Sequence, residues 1–189
     1  MASFEFLFTL FGLMLGLALT EVVGGFARGV KRRGPARLGS LTPLLSLFMA
    51  YEITDFWLFA WDMREVVPIG VPALIGSLVI TGLYYFAAVL AWPDEGDPAW
   101  DDLDRWALEH KRAILLSVTA SGLLAFGTEL ILHPAPLLGR TPAFYAWIVL
   151  YFGLLLFAAF APGRRTTIAA VALLLAMHLV GLVMSVVAG

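Results

Sequence analysis

The sequence predicts an all-α integral membrane protein with six transmembrane helices, and three observations point to it. Of 189 residues, 61% are hydrophobic and only 14% are charged, against about 25% charged in soluble domains. The mean hydropathy is +0.90. The charged residues also fall in short clusters between apolar runs of about twenty, the length that crosses about 30 Å of hydrocarbon at about 1.5 Å per residue. Cysteine is absent, which excludes a disulfide framework, a thiolate metal site and a thiol nucleophile. A net charge of -2 and no basic tail give no reason to expect a nucleic-acid partner.

Hydropathy and helix-breaking residues place the spans near 4–27, 41–62, 71–92, 112–133, 142–161 and 166–188, in a single membrane domain. The basic cluster follows the first run, the reverse of a secretory signal, so this run is expected to remain as a span. Arg28 to Arg37, with Gly34-Pro35, ends it; Asp62 to Glu65, with Pro68 and Pro72, separates the second and third; Pro134 and Pro136 end the fourth. Thr141-Pro142 has the pattern of an N-cap with proline at the first helical position, and Pro162-Gly163-Arg164-Arg165 reads as a tight turn.

Of twelve Lys and Arg, only Arg64 and Arg140 lie in the loops after spans two and four. The other ten, Arg28, Lys31, Arg32, Arg33, Arg37, Arg105, Lys111, Arg112, Arg164 and Arg165, lie after spans one, three and five. The positive-inside rule then puts both ends of the sequence outside the cytoplasm, in a multi-pass inner (plasma) membrane protein. Trp57, Trp61, Trp92 and Trp147 sit near span ends or in their outer thirds, which suits an interfacial belt or packing between helices.

Between spans three and four, Trp100, Leu103, Trp106, Ala107 and His110 recur at helical spacing opposite Asp101, Asp102, Asp104, Arg105 and Glu109. The spacing predicts a short cytoplasmic amphipathic helix over 97–110, lying on the membrane surface. Its acidic face does not suit anionic lipid, so docking on the protein's own helices is expected. Thr20-Glu21 in span one matches Thr128-Glu129 in span four, and the same offset pairs Arg32 with Arg140. Two three-helix halves would be related by inversion, a plan common among transporters.

The polar residues inside the spans raise the question of function. Glu52, Asp55, Phe59 and Asp62 fall on one helical face and Glu65 continues it. A charge at a helix centre costs about 2.5–3.5 kcal/mol on insertion scales. Glu52 and Asp55 must therefore face a wet cavity, a cation or each other, an arrangement that holds a proton or a cation. Glu21, near Arg28, and Glu129, near His133, add carboxylates from two other spans. Each of these two has a plain structural reading nearly as good, as a polar contact or a cap. Glu129 and His133 have i, i+4 ligand spacing, and His178 lies mid-span in the sixth. Together they are weak metal candidates, and no metal or other cofactor is expected. Gly12, Gly16, Thr20 and Gly24, and Ser117, Ser121 and Ala125, form small-residue stripes suited to close packing within the chain more than to a homo-oligomer. Ser77, Thr81 and Tyr85 make a mildly polar stripe on the third span.

Thr119-Ala120-Ser121-Gly122 and His178-Leu179-Val180-Gly181 resemble the serine and histidine helices of rhomboid intramembrane proteases, which implies a Ser121–His178 dyad. The likeness covers fewer than ten residues. Thr119 stands where a glycine is expected, and no histidine-rich helix with an asparagine is present. In layout alone the chain is similar to small exporters of the lysine and manganese efflux superfamily, whose motifs it lacks, so no residue role is carried over. No P-loop pattern is present.

The leading expectation is a small transporter or channel with an acidic interior, moving a cation or a proton-coupled solute through Glu52, Asp55, Glu21, Glu129 and Asp62. The second is an accessory or sensory subunit, bound to a membrane protein partner through its apolar stripes and the 93–112 segment. An integral-membrane enzyme comes third.

Overall fold

A computed structural model describes residues 2–32, 39–68, 70–134 and 139–188, with only the backbone course at 2–7 and 185–188. The expected breaks at Gly34-Pro35 and Pro136, and the charges of Arg33 and Arg37, lie outside these residues. The described helices are α1 (Ala2–Lys31), α2 (Leu41–Asp62), α3 (Val71–Leu90), α4 (Leu103–Leu132), α5 (Pro142–Phe160) and α6 (Gly163–Ala188). Short 3-10 turns occupy Met63–Glu65 and Pro98–Asp101. Six helices are long and apolar enough to cross a membrane, in agreement with the sequence. Large apolar side chains such as Leu58, Ile131 and Val149 face outward from the bundle, as they should where lipid is the solvent.

The order of packing puts α2 at the centre, against α1, α4 and α6, while α3 lies between α1 and α4, and α5 between α4 and α6. The α4 stripe of Ser117, Ser121 and Ala125 is buried inside the chain, whereas of the α1 stripe only Gly12 meets another helix: Gly16 has no atom near its Cβ position and Thr20 is exposed. Ser121 is fully buried and donates its hydroxyl to the Ile80 carbonyl of α3 at 3.1 Å, and Gly12 lies where a side chain would press on the Trp57 ring of α2. The two halves do not share one pattern of neighbours. Helix α1 packs along α3, whereas their counterparts in the expected repeat, α4 and α6, barely meet.

The separate surface helix expected over 97–110 is replaced by a different arrangement. Asp97 accepts from the Ala99 N–H at 2.7 Å and starts the 3-10 turn; Asp102 accepts from the Arg105 N–H at 3.1 Å and caps α4. With no proline or glycine between Leu103 and Ser121, the amphipathic stretch continues directly into the fourth span. Its apolar face docks on the protein's own chain. Trp100 and Leu103 are buried against Ala91 and Trp92, and Arg32 lies over the Trp100 ring at 4.5 Å. Trp92 and Trp100 stack with centroids 5.8 Å apart, and the Trp92 ring occupies the space that a side chain at Gly25 would need. The belt reading thus fails for Trp92, which is buried, and suits Trp61 and Trp147, which are about half exposed.

The same end of the bundle, which carries most of the basic residues, is tied by one carboxylate. Asp104 of α4 accepts from the N–H groups of Ser40 and Leu41 at 3.0 and 2.8 Å, satisfying free donors at the start of α2. Its other oxygen meets Arg164 of α6 at 2.6 Å, and Arg164 also donates to the Ser40 hydroxyl at 2.9 Å. Gly39, at φ +63°, stands where a side chain would run into this carboxylate. Thr141 occupies the N-cap position of α5, as expected, but makes no side-chain capping bond. Lys111 of α4 is buried and donates to the Ala161 carbonyl at 2.5 Å and the Thr167 hydroxyl at 2.8 Å, which fixes the turn between α5 and α6.

Candidate functional site

The mid-span carboxylate of α2 has two partners, both from helices distant in sequence. Tyr151 of α5 donates its hydroxyl to Glu52 Oε1 at 2.6 Å, and His178 Nε2 of α6 lies 2.5 Å from the same oxygen. Glu52 is 6% exposed, so the charge that insertion energetics forbid toward lipid is turned inward and held by two polar groups. The His178 ring is packed by Tyr51, centroids 4.3 Å apart, and meets Tyr151 edge-on at 5.4 Å. Tyr51 also reaches the His178 carbonyl, at 3.4 Å. The imidazole is therefore held from both sides.

This triad forms part of the wall of a cleft of about 280 Å³, which Asp55, Tyr84 and Glu129 also line. Five helices contribute: α2 gives Glu52 and Asp55, α3 Tyr84, α4 Glu129, α5 Tyr151 and α6 His178. Two carboxylates in it are unengaged. Neither Asp55 nor Glu129 has a side-chain hydrogen bond or ion pair among the described residues, and the same holds for the hydroxyl of Tyr84, a residue only 3% exposed. Chemically, the cleft offers one tethered carboxylate beside an imidazole, which can exchange a proton between them, and two free carboxylates facing the same space.

The other expected residues lie elsewhere. Glu21 is half exposed, with Arg28 at 3.9 Å, and does not line the cleft. Asp62 ends α2, exposed, and also lies outside it; Glu65 pairs with Arg64 at 3.4 Å. Glu52 and Asp55 do not bond to one another, because Tyr151 and His178 hold Glu52. His133 is exposed just past α4, where its N–H donates to the Glu129 carbonyl at 2.8 Å. Among the described residues no three His, Asp or Glu come together as a metal site, so Glu129, His133 and His178 do not assemble one. The Ser121–His178 dyad is not formed: Ser121 bonds to Ile80 and His178 to Glu52. Ser77 and Thr81 turn their hydroxyls back to carbonyls of their own helix, Ala73 and Ser77, and add no free polar group to the interior.

Sequence reasoning missed Tyr84 and Tyr151. A tyrosine in an apolar run reads as packing, and the one signal present is that a buried tyrosine hydroxyl requires a partner. Comparison with protein-family models, with curated proteins and with solved structures gave no match.

Proposed function

We propose that this chain is a small transporter or channel of the inner (plasma) membrane that moves a proton or a cation through the cleft between α2, α3, α4, α5 and α6. The supporting observation is the convergence of Glu52, Asp55 and Glu129 with His178 and two tyrosines on one cleft within the spans. In this reading the Glu52–His178 pair takes up and releases the proton, Tyr151 holds the carboxylate in place, and Asp55 and Glu129 attract the cation. Glu21 and Asp62, which line no part of the cleft, drop out of the mechanism. The positive-inside count places the end bearing Asp104 and Lys111 in the cytoplasm and both ends of the sequence outside. An inverted repeat is not needed, since of the two matched glutamates only Glu129 reaches the cleft.

The segment that an accessory subunit would offer to a partner has its apolar face, Trp100 and Leu103, buried within the chain, which favours transport over that reading. Flux in proteoliposomes under a pH or cation gradient tests the proposal. Glu52→Gln combined with Asp55→Asn keeps shape and most hydrogen bonding, so the protein should insert and fold but lose flux. Undiminished flux in the folded double variant, or none in the native protein across a panel of ions, would refute it.

A further inference from the structure

Beside the acidic cleft lies a second chamber of about 410 Å³, formed between α1, α2, α3 and α4. Its volume is in the range of small-molecule sites, about 300–1,000 Å³. Phe56, Phe59 and Ala125 line both spaces and so form the wall between them. The second chamber is apolar in function as well as composition. Among the described residues, the only polar side chains on its surface are Ser77 and Thr128, and both hydroxyls bond carbonyls of their own helices, Ala73 and Leu124. The cleft is the opposite: among the described residues, Asp55, Glu129 and the hydroxyl of Tyr84, a residue 3% exposed, have no side-chain hydrogen bond or ion pair. Phe126, Trp147 and Phe152 line the same cleft, and aromatic ring faces attract cations.

Resting on the transport reading above, we propose that the substrate is a lipophilic organic cation, an amine or quaternary onium with an apolar body. Its charged head sits between Asp55 and Glu129 with the Tyr84 hydroxyl as a third oxygen contact. Its apolar body occupies the second chamber once the rings of Phe56 and Phe59, in contact with centroids 5.9 Å apart, turn aside to admit it. The chemistry on each side decides the class. A bare metal ion would leave the larger chamber unused, and a neutral lipid tail would leave two carboxylates unneutralised at membrane depth. An onium ion with an apolar body fits both spaces.

Gly76 allows the two spaces to be tested separately. It lines the apolar chamber, and a Cβ built there meets no atom within 4 Å. Gly76→Phe therefore fills the chamber from α3 without disturbing the carboxylates. Native protein in lipid nanodiscs should bind benzyltriethylammonium, a quaternary head carrying one aryl body, saturably, read by calorimetry and by tryptophan fluorescence, since Trp147 lines the cleft. Asp55→Asn, or Glu129→Gln should the first variant not fold, should weaken this binding about ten-fold or more. Gly76→Phe should weaken benzyltriethylammonium by about ten-fold while leaving tetraethylammonium, which lacks the aryl body, unchanged. The inference is overturned if native protein binds neither cation, if the carboxylate variants bind as well as native, or if Gly76→Phe affects both cations alike or neither. The last result would assign the chamber to a lipid tail. Proton flux measured on the same preparations separates the two levels: flux without onium binding refutes only the substrate class, and absence of both refutes the transport reading too.

Discussion

Replacing Glu52 by leucine measures what the buried triad contributes to stability. One carboxylate oxygen serves the Tyr151 hydroxyl at 2.6 Å and His178 Nε2 at 2.5 Å. Leucine fills most of the volume and offers neither bond, so a phenol and an imidazole nitrogen are left inside the bundle without an acceptor. A buried polar group stranded in this way costs about 1–3 kcal/mol, hence about 2–6 kcal/mol for two. For a chain of this length about 1 kcal/mol moves Tm by about 2–4 °C, so the leucine variant should melt at least about 4 °C below the native protein. Glutamine keeps an acceptor oxygen for Tyr151 and a polar partner for His178, and should cost about 1 kcal/mol or less. Adding Tyr151→Phe to the leucine variant removes one stranded hydroxyl and should recover part of the loss. Thermal unfolding in one detergent, followed by tryptophan fluorescence, reads all three. The reasoning fails if the leucine variant melts with the native protein, if leucine and glutamine cost the same, or if the added phenylalanine lowers Tm further.

Asp104→Ala should destabilise by about 1–2 kcal/mol, because it uncaps α2 and releases Arg164 at once; an unchanged denaturation midpoint would show the tie to be idle. Gly25→Ala should cost about 1–3 kcal/mol by pushing the Trp92 ring off Trp100, visible as a red shift of tryptophan emission together with a lower Tm. Reporter fusions at Gly189 and within the Asp94–Asp97 loop should give opposite signals, external for the first and cytoplasmic for the second. A cytoplasmic Gly189 would reverse the orientation.

The spans were legible because a membrane imposes a length that composition and proline reveal without any tertiary information. Helix α2 begins and ends where its flanking residues say it should. The start of α4 was misread because amphipathicity distinguishes faces, not elements: an acidic stretch with no breaker can dock and still run on into the span. Glu52 and Asp55 were marked by charge alone, but their roles were not, since Glu52 is held by residues of α5 and α6 and Asp55 by none. His178, marked in the sequence only as a mid-span residue and weak metal candidate, could gain its role only through space. Glu21 misled because a carboxylate two turns inside a span end looks the same in sequence whether it faces a cavity or, as here, an arginine on its own helix.

The span of sequence across the triad has a consequence for synthesis. Glu52 enters the membrane 99 residues before Tyr151 and 126 before His178, so for most of translation α2 carries a carboxylate with no acceptable resting place. A charge at membrane depth costs about 2.5–3.5 kcal/mol, enough to keep a nascent α2 shifted toward an interface or held by the insertion machinery rather than settled at its final depth. Arrival of the α5–α6 hairpin supplies both partners of Glu52. The settling of α2 at its final depth is thereby coupled to the arrival of α5 and α6, and a chain interrupted before α5 leaves the Glu52 carboxylate with neither partner.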